Sequence, residues 1–173
     1  MDPLDVLIEE RARFTLDKVL ETLEEDGAAL PARVVYLVPG ESVVWDNDCC
    51  QGQLTARVSA MAAHRSTATR TTTLTPCSID YWTVTLEVVL LRCAATINNA
   101  GQAPSADALT VDGRRGLGDM YSILRTITRL PFADDVTSWL PQGPQGGCFG
   151  NAWTFTFKVD ATPCDEYEIE GAA

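Results

Sequence analysis

The chain has 173 residues, of which 46% are hydrophobic and 21% charged, and its formal net charge is −11. That is enough for one domain with a real core, and no stretch approaches the roughly 18 consecutive apolar residues of a membrane span. The N-terminus, MDPLDVLIEE, is acidic and has no basic segment ahead of an apolar run, so no secretory leader is expected and folding in a cytoplasm is.

Charge is unevenly placed. Residues 1–48 carry 12 acids and 4 bases, residues 49–78 carry three bases and no acid, and residues 132–173 carry seven acids and one base. Acidic ends argue against tight nucleic-acid binding, which needs several Lys or Arg side chains on one face. They fit a solvated surface that keeps the protein soluble.

Asp2-Pro3 reads as an N-cap followed by proline at the first helical position. Leu4, Leu7, Ile8, Ala12, Leu16, Val19, Leu20 and Leu23 then form a helical stripe, so a helix is expected over about residues 3–26, with Gly27 as its C-cap. Acids crowd its last turn against the helix dipole, which leaves packing to hold that end. Arg33–Val38 is a short β-branched run stopped by Pro39-Gly40, and SVVWD is a second short candidate.

From Gln53 to Ala60 the pattern alternates, with Leu54, Ala56, Val58 and Ala60 on one face of a half-buried strand. His64 to Cys77 is polar, threonine-rich and free of acids, and reads as a long loop or extended hairpin arm. The strongest strand signal covers about Tyr81–Ala95. Trp82, Val84, Leu86, Val88, Leu90 and Arg92 share one face, and the other face turns apolar only from Val89.

Ser105 is a candidate N-cap for a second helix over about Ala106–Leu130, with Leu109, Leu117, Met120, Tyr121, Leu124 and Ile127 as its buried face. Gly113, Gly116 and Gly118 weaken its middle. LPQGPQGGCFGN reads as a loop. AWTFTFKVD reads as a final strand with Trp153, Phe155 and Phe157 on one face. Strands do not alternate with helices, so the expected class is α+β: a mostly antiparallel sheet, two main helices on one face, and a long Thr-rich loop. Residues 1–160 form the domain and 161–173 an acidic tail.

The chemistry-bearing residues do not assemble into a recognisable set. Six cysteines, Cys49, Cys50, Cys77, Cys93, Cys148 and Cys164, show none of the close pairing of structural zinc sites. Adjacent cysteines in a strand point to opposite faces, and their Cα atoms are too close for an ordinary bridge. Without a secretory leader, reduced and mostly buried thiols are expected. Should bridges form in an oxidising setting, Cys93 with Cys77 or Cys148 in neighbouring loops is the best placed. His64 is the sole histidine, so any Ser-His or Cys-His pair depends on it. In a polar loop it reads as solvated. Asp46/Asp48 and Asp134/Asp135 read as turn residues. GRRGLGD lacks a preceding strand and matches neither a P-loop nor a dinucleotide fingerprint. The expectation is no enzyme, no catalytic residue, no cofactor and no metal.

What remains is contact surface. Trp82 and Trp153 are expected in the core, while Trp45 and Trp139 lie beside turns and suit an interface. Arg57, Arg65 and Arg70, in or beside the acid-free stretch, can meet an acidic neighbour, and Glu166 and Glu168 of the tail can meet a basic one. Trp45, Arg57, Arg65, Arg70, Trp139, Glu166 and Glu168 are therefore the candidate subunit or partner contacts. Opposite patches on one chain suit a head-to-tail ring.

VVWDNDCCQGQLTARV, then TPCSIDYWTVTLEVVLLRCAATINNAGQAPSADALTVDGRRGLGDMYSIL, then AWTFTFKVD resemble the small head–tail connector and tail-terminator proteins of long-tailed actinobacterial phages and prophages. The features carrying the resemblance are the Cys-Gln-Gly-Gln-Leu strand start, the Pro-Cys before the long Tyr-Trp strand, its Leu-Arg-Cys exit and the helix after Pro-Ser-Ala. They cover roughly residues 43–130. The resemblance implies a virion structural protein without an active site, assembled in the host cytoplasm. It implies a homo-oligomer, a hexameric ring, that sits on the last ring of the major tail protein, stops tail growth and offers a docking face to the head-completion or stopper protein. Genomic DNA passes through such a ring without specific binding, which suits an acidic chain, and no membrane is involved.

The rival readings are a stopper or adaptor ring of the same neck, an enzyme using Cys49 or Cys50 with His64, and a soluble acidic binding module.

Overall fold

The computed structural model describes residues 3–38, 51–65, 79–97, 101–145 and 147–161. Their elements in order are α1 (Pro3–Glu25), β1 (Arg33–Val35), β2 (Gln53–His64), β3 (Tyr81–Cys93), α2 (Ala106–Ile127), β4 (Asp135–Gln145) and β5 (Cys148–Asp160). The five strands form one sheet in the order β1-β2-β3-β5-β4. Only β1 and β2 run parallel; the other pairs are antiparallel. The fold is the expected α+β arrangement, with both helices on one face. Among the described residues no helix is long and apolar enough to cross a membrane.

The core follows from strand alternation. Val84, Leu86, Val88 and Leu90 of β3 point to the same side as Trp153, Phe155, Phe157 and Val159 of β5, and all are buried. The α1 stripe Ile8, Ala12, Leu16, Val19 and Leu23 covers them together with Ile123 and Ile127 of α2. On the other face Val89, Leu91 and Ala152 make a small second cluster, and Arg57 pairs with Glu87 across β2 and β3.

α1 ends as expected: Gly27 takes φ 67°, the Ala28 N–H reaches the Leu23 carbonyl at 2.9 Å and the Gly27 N–H reaches Glu24 at 3.0 Å, a Schellman closure. The acids there are not left to packing alone. Asp26, just past the helix, accepts from Arg125 at 2.6 Å and from Ser122 at 2.5 Å, both on α2. These bonds hold its carboxyl below the ordinary carboxylate range, Arg125 contributing most and Ser122 next.

Four expectations are corrected. The LPQGPQGGCFGN segment is not a loop: Asp135–Gln145 is an edge strand and β5 starts at Cys148. Its prolines and glycines hid a strand that tolerates them because it pairs with β5 alone among the described strands. β2 continues to His64, so the histidine belongs to a strand, with its ring stacked on Tyr81 at 4.6 Å and Nε2 at 2.9 Å from Thr83 Oγ1. The alternation of β2 fails beyond Val58, where a register shift intervenes and residues 59–63 are exposed. Cys93 and Cys148 are both in disulfide linkage, against the expectation of reduced thiols and as in the alternative that named them among the best-placed bridge residues. The Cys49-Cys50 pair and residues 66–78 of the Thr-rich segment lie outside the described residues.

Candidate interaction surface

The second helix buries only part of its apolar stripe. Leu109, Val111, Leu117 and Tyr121 are 53%, 53%, 52% and 65% exposed. The residues it buries are Asp119, Ser122, Ile123, Thr126 and Ile127. The expected buried face therefore holds only near the C-terminal end, at Ile127 with Met120 and Leu124 packed against the core.

The reason is a polar seam that turns the helix. Arg92 comes up from β3 beneath α2 and meets Asp119 through two bonds of 2.9 Å, and its third nitrogen donates to the Ala29 carbonyl at 2.5 Å. Asp112 accepts from the Ala95 backbone N–H at 2.6 Å. Further along, the hydroxyls of Thr126 and Thr22 meet at 2.8 Å. Asp112, Asp119, Ser122 and Thr126 recur on one side of the helix and pin it polar side down. Ile123 and Ile127 go down with them into the core, while Leu109, Leu117 and Tyr121 are left facing outward.

An apolar cleft of about 330 Å³ opens beside that outward side, between α2 and the outer strand β4. One wall is Leu109, Gly113 and Leu117; the other is Trp139, Pro141 and Pro144. Phe149 and Asn151 of β5 form its floor. Asn151 is buried and ties the walls together: it accepts the Trp139 indole N–H at 3.0 Å and donates to the Gly116 carbonyl at 2.9 Å. One amide thus satisfies both a donor and an acceptor, which fixes the cleft before anything enters it. Glycines keep it open. A Cβ on Gly113 would meet nothing within 4 Å, whereas one on Gly116 would press on the Phe149 ring at 3.3 Å. The disulfide-bonded Cys93 and Cys148 stand directly opposite each other in register at the same end of the sheet.

Of the residues expected to make contacts, Trp139 lines this cleft. It is 38% exposed, with its ring 6.3 Å from that of the buried Trp153. Trp153 is in the core, as expected, and Trp82 is partly buried against it. Arg57 lies on the opposite face of the sheet, paired with Glu87 inside the chain. Arg65 is half-buried just past β2, which β3 and β5 separate from β4. Trp45, Arg70, Glu166 and Glu168 lie outside the described residues. Sequence reading missed Leu109, Leu117 and Asn151 as surface-forming residues. The available signal was the second, polar stripe of α2, which competes with the apolar one for the inside.

Among the described residues no three His, Cys, Asp or Glu side chains come together as a metal site would require. No protein-family model matches this chain, and no curated protein matches it.

Proposed function

We propose that this chain is a structural protein of a phage neck, a tail terminator that assembles as a ring, caps the tail tube, stops its growth and joins it to the head connector. Two things support the reading. The sequence resemblance over roughly residues 43–130 supplies the identity of the assembly. The apolar residues that α2 leaves exposed beside the cleft supply the need for one, because a monomer gains nothing by exposing Leu109, Leu117 and Tyr121 while burying Asp119. That exposed apolar surface of α2 is the observation that carries the proposal. Its partners are further copies of itself, the major tail protein and the head-completion protein. DNA slides through the ring without sequence-specific contact, as suits a net charge of −11.

The test is a tube-length assay. Major tail protein from the same genome is polymerised with and without this protein, and lengths are read by negative-stain electron microscopy. Terminated tubes that carry a cap at one end support the proposal. Tubes of unchanged length, with no cap at any ratio, refute it.

A further inference from the structure

We infer that the C-terminal segment of one copy docks in the α2–β4 cleft of a second copy, with Tyr167 and Ile169 as its apolar anchors. The segment reads Asp165-Glu166-Tyr167-Glu168-Ile169-Glu170. In an extended chain alternate residues share a side, so Tyr167 and Ile169 lie on one side and Glu166, Glu168 and Glu170 on the other. That is an amphipathic strip with two anchors, matched to a cleft walled by Leu109, Leu117, Trp139 and Pro141. The cleft volume lies within the range of sites that take one or two side chains and bury them. Charge agrees as well. Arg114 and Arg115 follow Gly113 on α2 and are exposed at the edge of the cleft, Arg115 3.9 Å from Asp112 of its lining, and the four acids of the segment can meet them there.

Chain length decides between the protein's own tail and a neighbour's. Ala161 is fixed at the far end of the sheet, where its N–H bonds to Asp80, and Asn151 in the cleft floor lies ten positions back along β5. Ten strand residues span about 33 Å, and the near wall at Trp139, which pairs with Trp153 eight positions back, lies about 26 Å away. Tyr167 is six residues beyond Ala161 and reaches at most about 22 Å even fully extended, and Ile169 about 29 Å. The chain must also reverse direction, which shortens both reaches. The segment therefore falls short of its own cleft and fits that of a second copy. Such a contact is head-to-tail, with different surfaces on the two partners, and so can propagate around a ring. Pro141 and Pro144 remove backbone donors from β4 beside the cleft, so side-chain capture, not strand addition, holds the segment.

The inference uses the self-assembly of the proposed function but neither the ring count nor the tail tube, and its test is separate. A photo-crosslinking amino acid replaces Tyr167 in the full chain, and light and heavy-isotope-labelled preparations are mixed before irradiation. Crosslinks joining light and heavy chains, mapped to residues 109–117 or 139–144, are expected, and they weaken at high salt. Crosslinks within single chains only, or none at these residues, overturn the inference. Gly113→Leu adds a side chain to the cleft lining from a position where a Cβ meets nothing within 4 Å, and is expected to abolish the crosslink; its persistence overturns the assignment of the cleft. In the unlabelled protein Tyr167→Asp with Ile169→Asp is expected to weaken self-association at least about tenfold in sedimentation velocity. Unchanged association contradicts the inference. Interchain crosslinks in a protein that ignores tail tubes would leave the docking intact and remove only the terminator reading.

Discussion

Arg92 and Asp119 meet through two parallel bonds of 2.9 Å, with side chains 6% and 1% exposed, and this pair decides which way the second helix faces. A buried ion pair is seldom a net source of stability, because desolvating two charges offsets their attraction. Its effect here is orientational. By fixing the rotation of α2 with Asp119 inward, it leaves Leu109, Leu117 and Tyr121 outward.

Removing one partner leaves an uncompensated buried charge. Asp119→Ala is expected to cost about 3–5 kcal/mol, read as a lower midpoint in urea unfolding. The double replacement Arg92→Met with Asp119→Leu is expected to restore most of that stability. A double variant as unstable as Asp119→Ala would show that the pair contributes stability and not only orientation.

Asn151 sets the shape of the cleft. Asn151→Ala leaves the Trp139 indole N–H without its acceptor and removes the second bond to the Gly116 carbonyl, at a cost of about 1–3 kcal/mol. Trp139, no longer held, is expected to show red-shifted, more easily quenched fluorescence. An unchanged spectrum with unchanged stability would mean that water replaces the amide at no cost.

Gly150 sits where the sheet leaves no room for a side chain. A Cβ placed there would lie 2.2 Å from the Leu90 carbonyl oxygen, where only backbone movement can relieve it. Gly150→Ala is expected to destabilise the fold by about 3 kcal/mol. Gly113→Leu, by contrast, adds a better helix former in open space and is expected to raise stability by up to about 1 kcal/mol. Thermal unfolding of the two variants side by side checks both signs.

Acid is expected to loosen the contact between the two helices. The Asp26 carboxyl is held below its ordinary range by Arg125 and Ser122, so in the window between the lowered and the ordinary value the unfolded chain binds the extra proton. Stability from this contact is present above the ordinary carboxylate range and is lost as pH falls through the lowered value. Asp26→Asn should flatten that part of the acid-unfolding profile. A profile identical to wild type would assign the acid sensitivity elsewhere.

Cys93 and Cys148 are both disulfide-bonded at the cleft end of the sheet. Reduction is expected to lower stability by about 2 kcal/mol or more, seen as a fall in Tm with reductant. Equal Tm values, with alkylation confirming that the thiols are free, would contradict this.

Much of the fold was legible because burial follows period. The α1 stripe, the central strand and the Phe155–Phe157 strand each obey one repeat over their length, and each lies where its repeat places it. Ser105 caps α2 as its type suggests, accepting from the Ala108 N–H at 3.1 Å. Two things were not legible. An edge strand carries prolines and glycines that a central strand could not, so β4 looked like a loop. The facing of α2 depends on a partner for Asp119 that comes from β3, 27 positions away in sequence. A helix bearing both an apolar and a polar stripe cannot be oriented until that partner is known. The cleft inherits both difficulties, since its walls are α2 and β4.

The most direct measurement is native mass spectrometry of the purified full chain, alone and mixed with tubes of the major tail protein, with Gly113→Leu run in parallel. The account predicts a closed ring of identical subunits, a hexamer, either free or on the tubes, and its loss in the variant despite undiminished stability. A wild-type protein that stays monomeric in both conditions would contradict it.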